Sequence, residues 1–386
     1  MTLMEWQRGP RAISGVGAMD RLGAEATALS GRQGPILLVA DPGVQALAER
    51  AETCLATAGC EVARFSDLAG DPKAVQVEAA AALARQSGAS LVIGLGGGSA
   101  LDIAKLVAAV AGGTAPVLDY ALAARPFPEG ALPVIAIPTT AGTGSEATRV
   151  AIFSRPDETG DDVKLWAWGP ELQPRLAILD PETTVGLPPH LTAATGVDAL
   201  VHAIEAATNR NAHSFSQAPA LEAIRLVAGS LGRAVAQGDD LEARGQVQLA
   251  AFLAGQAIDT AGTGIAHALG HALGTLGRVH HGHAVGLSLA VALASNAAAA
   301  PMKHTAVARA LGLEGDNALS ATALAETYDR LLEQVGLDRD LTSLDLDPVE
   351  LAAEAGTPEN APMLASNCRS YDEKELLDLC RRLLTA

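Results

Sequence analysis

The sequence predicts an α/β domain with a parallel sheet, followed by an all-helical domain. Two observations support this prediction. In the first half, short apolar runs alternate with helical patterns, which is typical of parallel strands with helices on the faces of the sheet. After Leu187-Pro188-Pro189 the strand patterns vanish and long alanine-rich helical patterns follow. A chain of 386 residues has the length of about two domains, and we place them at residues 1–187 and 188–386.

Each predicted strand and helix of the first domain rests on a local sequence pattern. Continuous apolar runs bounded by turn residues predict buried strands, whereas longer periodic segments predict helices. Strands are predicted at Pro35–Ala40, Glu61–Phe65, Ser90–Gly94, Leu132–Ile137, Ala151–Phe153, Lys164–Trp168 and Leu176–Leu179. Helices are predicted at Val44–Ala58 and Ala74–Gln86, and a third opens at Ser99, which is a good N-cap residue.

The second domain is predicted from long apolar and amphipathic segments. Helices are expected at Leu191–Ala207, Ser216–Ala236, Leu241–Thr260 and Val285–Ala299. Hydrophobic residues make up 49% of the chain but aromatic residues only 3%. Alanine, leucine, valine and glycine must therefore fill the core, which favours closely packed helices and buried parallel strands.

Composition also limits partners and location. The net charge of −17, without a basic stripe, argues against a nucleic-acid partner. The first eight residues contain no apolar signal segment, and apolar runs such as Val107–Gly112 are too short to span a bilayer. The four cysteines have no metal or redox spacing, which is typical of reduced thiols. We therefore expect a cytoplasmic protein without a nucleic-acid or membrane partner.

The histidines form the most informative pattern. All nine lie after residue 189, and five of them lie between residues 267 and 283. Asp198 and His202 are four residues apart, as are His267 and His271, which places each pair on one face of a helix. Carboxylate and imidazole groups gathered in this way bind divalent transition metals. Taken singly, His202 is equally explained as a core residue, Asp198 as a helix N-terminal charge and Glu205 as a solvated one.

A glycine-rich segment follows the predicted strand at Ser90–Gly94 and opens a helix. Its residues are Gly96, Gly97, Gly98 and Ser99. Backbone N–H groups at a helix N-terminus bind phosphate, and three successive glycines cost too much entropy for an ordinary turn to explain them well. The pattern differs from the standard dinucleotide fingerprint, because Ser99 replaces the last glycine and no acid lies about 20 residues on.

Two further features fit a dinucleotide. Asp41 ends the strand predicted at Pro35–Ala40, where it either accepts hydrogen bonds from an adenosine ribose or forms the turn before Pro42-Gly43. The loop Pro138–Glu146 supplies hydroxyls and free amides after another strand. Together with the glycine-rich segment, we interpret this loop as a second wall of one dinucleotide cleft.

These motifs resemble those of the iron-containing alcohol dehydrogenases, the metal-dependent family also called type III. The resemblance runs over nearly the whole chain. It rests on the histidine cluster and on Gly96–Lys105, Pro138–Glu146, Asp180-Pro181 and Leu187–Glu205. It implies an N-terminal α/β dinucleotide-binding domain and a C-terminal helical metal-binding domain, in agreement with the pattern-based prediction.

The resemblance also implies roles for individual residues. The metal ligands of the family correspond to Asp198, His202, His267 and His281. His271 corresponds to a histidine that lies beside the substrate without binding the metal, and we predict that it is catalytic. The cofactor contacts correspond to Asp41, Asp71, Gly96, Gly97, Gly98, Ser99, Thr139, Thr140, Thr143 and Lys164. An acid at the position of Asp41 goes with NAD preference.

The implied reaction is hydride transfer between NAD(H) and a small alcohol and its aldehyde or ketone. A divalent ion lowers the pKa of a hydroxyl bound to it, and His271, one helical turn from His267, is placed to relay the proton. Mixed oxygen and nitrogen ligands suit Fe(II) or Zn(II); the resemblance favours Fe(II), with Zn(II) second. We expect a small-molecule substrate and a homo-oligomer, with a dimer favoured.

Other functions compete with this one. A metal-independent reductase of the maleylacetate reductase type generally lacks the full ligand set, which is present here. A lyase of the dehydroquinate synthase type uses NAD and zinc but recycles its NAD, so it gives no net change in absorbance at 340 nm. A non-catalytic metal- or nucleotide-binding protein is disfavoured, because the ligands and the cofactor loop are both intact.

The substrate pocket is less well determined by the sequence. Its candidate residues, Val150, Trp166, Trp168 and Ile258, are apolar. Arg149 is the one cation placed to meet an acidic substrate, although a surface salt bridge is its favoured role. We therefore expect a small, uncharged primary alcohol or its aldehyde.

Overall fold

The computed structural model describes residues 9–31, 34–68, 70–156 and 162–385. The chain divides into two compact units. The α/β unit comprises Arg8–Thr140 and Gly144–Gly186, and the helical unit includes Ala141–Thr143 and Leu187–Ala386. The predicted domain boundary between residues 187 and 188 stays a prediction. The expectation that residues 1–8 contain no apolar signal segment concerns residues outside the described part.

A six-stranded parallel sheet forms the centre of the α/β unit. The strands of this unit are β1 (Arg11–Ser14), β2 (Ile36–Ala40), β3 (Val62–Phe65), β4 (Leu91–Gly96), β5 (Val134–Pro138), β6 (Val150–Pro156), β7 (Asp162–Trp168) and β8 (Leu176–Leu179). The sheet has the order β1-β8-β5-β4-β2-β3, and all of its pairings are parallel. Because the strands are parallel, the residues that follow β2, β4 and β5 meet at one edge of the sheet.

Helices cover both faces of this sheet. They are α1 (Leu22–Ser30), α2 (Gln45–Thr57), α3 (Ala74–Ser87) and α4 (Gly98–Val110). Leu37 and Val39 of β2 belong to a core cluster with α3 and α4, whereas Ile36 and Leu38 belong to a cluster with α1 and α2. Alternate side chains of one strand thus face opposite layers, which confirms the predicted class of fold.

Three details of the prediction are wrong. Strand β1 was not predicted, because it is a short edge strand whose residues are mostly exposed and form no apolar run. Strands β6 and β7 pair with each other in a separate antiparallel sheet and do not join the parallel one. Helix α4 begins at Gly98 with Gly97 as its N-cap residue, because the chain turns within the glycines before it reaches Ser99.

The helical unit contains no strand among its described residues, as the sequence predicts. Its helices are α5 (Pro189–Thr208), α6 (Ser214–Ala236), α7 (Leu241–Ala261), α8 (Ile265–Gly277), α9 (His281–Ala299), α10 (Pro301–Ala310), α11 (Ala321–Gln334), α12 (Pro348–Ala355), α13 (Ala361–Ser366) and α14 (Glu373–Leu384). One hydrophobic core, built mainly of alanine and leucine, runs through these helices.

Glycines bring α5, α8 and α9 close together. A Cβ atom on Gly270 of α8 would lie 2.5 Å from Cγ1 of Val285. On α9, a Cβ on Gly286 would lie 2.6 Å from Cγ1 of Val197, and one on Gly282 would collide with the carbonyl oxygen of Ala194. The low aromatic content therefore goes with close helix packing, as expected from the composition.

Helix α9 is mostly apolar. By length and composition it is the one helix in the described part of the chain that could cross a membrane. However, 61% of its most apolar window is buried inside the fold, and it packs against α5, α8 and α11. These contacts are typical of a core helix in a helical bundle.

Candidate metal and cofactor sites

The four predicted metal ligands come together in the helical unit. Asp198 and His202 lie on α5, His267 lies on α8, and His281 is the first residue of α9. One ligand atom from each residue lies within 4.8 Å of the other three. Three helices that are separate in sequence thus converge on one point.

The distances between these atoms fit a single ion. Oδ1 of Asp198 lies 3.6 Å from Nδ1 of His202 and 3.8 Å from Nε2 of His267. It also lies 3.6 Å from Nε2 of His281. Ligand atoms about 2.0–2.2 Å from a tetrahedral ion are separated from one another by roughly 3.3–3.6 Å. The atoms are therefore spaced for coordination and too far apart for hydrogen bonds.

Burial provides an independent test of the donor set. Oδ1 of Asp198, Nδ1 of His202 and Nε2 of His267 are all buried without a hydrogen-bond partner. Each such atom costs about 1–3 kcal/mol when it stays unsatisfied. A divalent cation among them would satisfy all three together, and one carboxylate with neutral imidazoles suits Fe(II) or Zn(II). The residues present fit a divalent metal ion.

The protonation of two ligands follows from the same burial. Burial raises the pKa of the Asp198 carboxyl above its usual value. It lowers the pKa of His267 well below the usual value for histidine, and nearby His202 and His271 lower it further. His267 is therefore neutral near pH 7 and presents a lone pair, whereas a charged Asp198 requires a positive partner.

Glu205 supports His267 from the side away from the metal ligands. It is only 3% exposed, so the interpretation as a solvated charge is wrong. Its carboxylate accepts hydrogen bonds from the backbone N–H groups of Gly264 (2.8 Å) and Ala266 (2.7 Å), and it contacts Nδ1 of His267 at 2.6 Å. Burial raises the pKa of Glu205 to about 7, although these backbone hydrogen bonds lower it. The spacing from Asp198, seven residues on one helix face, is the signal that could have revealed this role.

A C-terminal segment completes the support of α8. Oδ1 of Asn367 accepts a hydrogen bond from the backbone N–H of Ile265 (3.2 Å). Asn367 also exchanges two hydrogen bonds with Asn296 of α9 (3.2 and 3.1 Å), and the Tyr371 hydroxyl donates to Asn296 (2.8 Å). The backbone N–H groups that begin α8 are thus bound by side chains, which orients the helix that carries His267.

His271 lies beside the ligand cluster. Its ring centroid is 5.3 Å from that of His281 and 6.3 Å from that of His267. Nδ1 of His271 lies 3.2 Å from Oδ1 of Asn360. His271 thus adjoins two of the predicted ligands, and its position beside a bound metal and its catalytic role stay predictions.

The glycine-rich segment of the α/β unit leaves no room for side chains. Gly96 has a φ of +151°, which L-residues rarely adopt. A Cβ on Gly96 would lie 2.7 Å from Cβ of Ala100 and 2.8 Å from Cβ of Asp41, and one on Gly97 would lie 3.3 Å from Cγ2 of Thr140. The N–H of Thr139 donates to the carbonyl of Gly96 at 2.9 Å.

These contacts bring most of the predicted cofactor residues together at one edge of the sheet. The bare N-terminus of the 13-residue helix α4 lies among them, and it is suited to bind phosphate. Asp41 forms a turn, since its Oδ1 accepts a hydrogen bond from the N–H of Gly43 at 2.7 Å. Both interpretations of Asp41 are therefore compatible, because the same side chain adjoins Gly96.

Three further predicted cofactor residues lie on other segments of the chain. Thr143 belongs to the segment that groups with the helical unit. Asp71 and Lys164 form an ion pair with 3.0 Å between Nζ and Oδ2. The Asp71 side chain is 55% exposed and that of Lys164 is 23% exposed, so the ammonium is the better shielded of the two.

A buried network holds the C-terminal end of the loop Pro138–Glu146 against α4. Lys105 is completely buried, and its Nζ donates to Oγ of Ser145 (2.8 Å) and to the carbonyls of Ser145 and Val150. Asp102 accepts hydrogen bonds from Oγ of Ser145 (2.5 Å) and the N–H of Ile152 (3.0 Å). Neither Asp102 nor Lys105 is among the residues predicted to form a site. Their i,i+3 spacing in an otherwise apolar helix was the available signal.

The candidate residues for substrate contact lie on separate elements. Val150 and Trp168 are cross-strand partners in the β6–β7 hairpin, whereas Ile258 lies on α7. The guanidinium of Arg149 lies over the ring of Trp168, 5.3 Å from its centroid. This is a cation–π contact, and Trp168 is 46% exposed.

Comparison with known proteins identifies the family and agrees with the fold. Residues 9–181 match the model for "Iron-containing alcohol dehydrogenase", and residues 192–384 match "Fe-containing alcohol dehydrogenase family, C-terminal". The chain therefore belongs to the iron-containing alcohol dehydrogenase family, as the sequence motifs predict.

Several relatives are similar over most of their length. The 1,3-propanediol dehydrogenase of Citrobacter freundii is 33% identical over 97% of this chain and 95% of its own. The choline dehydrogenase of Bacillus subtilis is 36% identical over 78% of this chain and 74% of its own. Among solved structures, sulfoacetaldehyde reductase from Bifidobacterium kashiwanohense in complex with NAD+ has a TM-score of 0.89 and 27% identity, with both chains covered completely.

Proposed function

We propose that this protein is a metal-dependent dehydrogenase that transfers hydride between NAD(H) and a small alcohol and its aldehyde or ketone. The observation that carries the proposal is the convergence of Asp198, His202, His267 and His281, with three of their ligand atoms buried and unsatisfied. A divalent ion bound there supplies Lewis acidity to the substrate oxygen, and the nicotinamide supplies the hydride chemistry.

The residues of the chain then have distinct roles. Glu205 orients His267 by accepting a hydrogen bond from its Nδ1 while it accepts two from the first turn of α8. His271 moves the proton between the substrate oxygen and solvent. In the α/β unit, the N-terminus of α4 binds the pyrophosphate, Thr139 and Thr140 border it, and Asp41 binds the adenosine ribose. Asp71, Thr143 and Lys164 complete the proposed cofactor contacts.

The decisive experiment is a substrate panel assayed at 340 nm. The protein is reconstituted anaerobically with Fe(II) or Zn(II) and tested on alcohols and aldehydes with NAD(H) and NADP(H). Stoichiometric, substrate-dependent change in NADH with metal-loaded protein supports the proposal. Full activity after complete chelation would favour the metal-independent reductase, and turnover without net change in NADH would favour the lyase.

Asp41 should determine the choice of cofactor. We expect NAD(H) to be preferred, and we expect Asp41→Asn to relax the preference by roughly 10–100-fold in the ratio of kcat/KM values, because a hydrogen bond to a charged group contributes about 1.5–3 kcal/mol. Asn keeps an oxygen that can accept the hydrogen bond from Gly43, so the turn is retained while the charge is lost. Asp41→Gly removes both.

Comparison of the two variants separates the effect of the turn at Asp41 from the effect of its negative charge. Wild-type protein that prefers NADP(H) would show that Asp41 is only a turn residue. The same conclusion would follow if Asp41→Gly lost the preference for NAD(H) while Asp41→Asn kept it.

The substrate should be a small, uncharged primary alcohol or its aldehyde. An apolar pocket distinguishes neighbouring homologues by only about 1–3 kcal/mol per methylene, so we expect a broad series of alcohols to be accepted with graded kcat/KM. The panel should include choline and sulfoacetaldehyde, because relatives are named for these charged substrates.

Activity confined to an anionic substrate would contradict this prediction. Arg149→Ala then identifies the contact, because loss of that activity would assign Arg149 to the substrate anion.

We further propose a cytoplasmic homo-oligomer, most simply a dimer, without a nucleic-acid or membrane partner. Light scattering coupled to size-exclusion chromatography measures the oligomeric state directly. A monomeric mass at micromolar concentration would contradict the oligomer.

A further inference from the structure

We infer that Asn360 is a positioning residue that holds His271 in the tautomer with its proton on Nδ1. The inference deepens the proposed function, on which its catalytic consequence rests. Asn360 lies immediately before α13 and is only 4% exposed.

The orientation of the Asn360 amide is determined by its partners. Nδ2 donates to the backbone carbonyl of Glu354 at 3.1 Å and to Oγ1 of Thr357 at 3.2 Å. A carbonyl oxygen only accepts hydrogen bonds, so the amide nitrogen must face Glu354. If the amide were turned over, two oxygens would face each other in a buried site. Oδ1 therefore faces His271, 3.2 Å from its Nδ1.

An unusual feature of α13 supports the same conclusion. Asn360 occupies the N-cap position of this helix, yet its side chain makes no capping hydrogen bond. Asparagine at this position normally accepts a hydrogen bond from the second or third N–H of the helix. Here the side-chain oxygen is directed to His271 instead, so helix capping does not account for it.

The consequence for His271 follows from the chemistry of imidazole. Because an amide oxygen only accepts, Nδ1 of His271 must donate to it. A neutral imidazole carries one proton, so the lone pair then lies on Nε2. The His271 ring lies beside the rings of His267 and His281. Nε2 of His271 is therefore the atom that takes a proton from a substrate hydroxyl or returns one to a substrate oxygen. Without Asn360 both tautomers are available, and one of them has its proton on the wrong nitrogen.

The test compares Asn360→Leu with Asn360→Asp. Leucine has a similar size but accepts no hydrogen bond, whereas aspartate restores an acceptor for Nδ1. We expect Asn360→Leu to lower kcat by about 10²-fold, in the range of general acid–base effects, with the KM for NAD changed less than about threefold and one metal ion per chain retained. Asn360→Asp keeps an acceptor for Nδ1 but places a second oxygen against the Glu354 carbonyl, so we expect it to recover kcat only in part while it restores the proton on Nδ1 of His271. Asn317→Leu, the same change at an exposed residue, should have no effect.

A spectroscopic measurement tests the tautomer without any assay of activity. In diamagnetic Zn(II)-loaded protein labelled with ¹⁵N-histidine, the His271 ring nitrogens, assigned with His271→Gln, should show a protonated Nδ1 that is lost or mixed in Asn360→Leu. A protonated Nε2 in the wild type, or unchanged kcat in Asn360→Leu, would overturn the inference. A wild type that is inactive on the whole panel but has a protonated Nδ1 would contradict the proposed function and leave the positioning role supported.

Discussion

Replacement of His267 with alanine is expected to abolish turnover and tight metal binding while dinucleotide binding largely survives. His267 is 3% exposed, and its Nε2 is one of three buried ligand atoms without a hydrogen-bond partner. Loss of this ligand removes the Lewis acid, which contributes several kcal/mol to catalysis. Since about 1.4 kcal/mol corresponds to tenfold in rate, we expect a loss of roughly 10³-fold or more in kcat. The glycine-rich segment lies in the other unit, so the affinity for NADH should change little.

Three measurements check this result together. Elemental analysis gives the metal content, fluorescence titration gives the Kd for NADH, and initial rates give kcat. His190→Ala is the matched control, because His190 is an exposed histidine on the first turn of α5. If His267→Ala turned over at the wild-type rate, the metal mechanism would be wrong. If His267→Ala lost NADH binding as well, metal binding and dinucleotide binding would not be separable.

The class of fold could be predicted because burial leaves a direct trace in the sequence. Strands β2, β5 and β8 are buried at every residue, and each is a continuous apolar run. Strand β1 leaves no such trace, because its hydrogen bonds to β8 are made by the backbone, whatever its side chains are. The β6–β7 hairpin shows a second limit, since an apolar strand pattern does not specify which strand it pairs with.

The metal-ligating residues were likewise easier to predict than the contacts that hold them in position. Asp198, His202 and His267 stand out because charged or polar groups at helical spacing in an apolar segment need a reason. His281 reaches this group through the packing of α9 on α5, where Gly282 lies against Ala194 and Asp198. Such long-range contacts have no local signature. Asn360 illustrates the same limit, because it acts on a histidine 89 residues away.

Glu205 is the support residue whose replacement should have the largest effect. Its carboxylate faces three donors, the N–H groups of Gly264 and Ala266 and Nδ1 of His267. Oε2 lies 2.8 Å from the first and 2.6 Å from the ring nitrogen, and Oε1 lies 2.7 Å from Ala266. A glutamine has the same shape but carries an NH₂ group in place of one oxygen. Whichever way the amide turns, that group faces at least one donor, so Glu205→Gln is not a conservative change here.

We expect Glu205→Gln to weaken metal binding by about 10–100-fold, as is typical when the partner of a ligating histidine is altered. Glu205→Leu leaves all three donors without an acceptor, and we expect it to lower the free energy of unfolding of the metal-free protein by roughly 3–5 kcal/mol. Competition with a chelator measures the metal affinity, and denaturant unfolding of the metal-free proteins measures stability separately.

Glu222→Gln is the matched control, because it removes an exposed carboxylate that pairs with Arg225 on the surface of α6. That change should cost less than about 1 kcal/mol and leave metal affinity unaltered. Wild-type metal affinity in Glu205→Gln would show that His267 keeps its tautomer and orientation without the carboxylate. Helix α8 would then be positioned by its apolar packing and by Asn367, and Glu205 would contribute to stability alone.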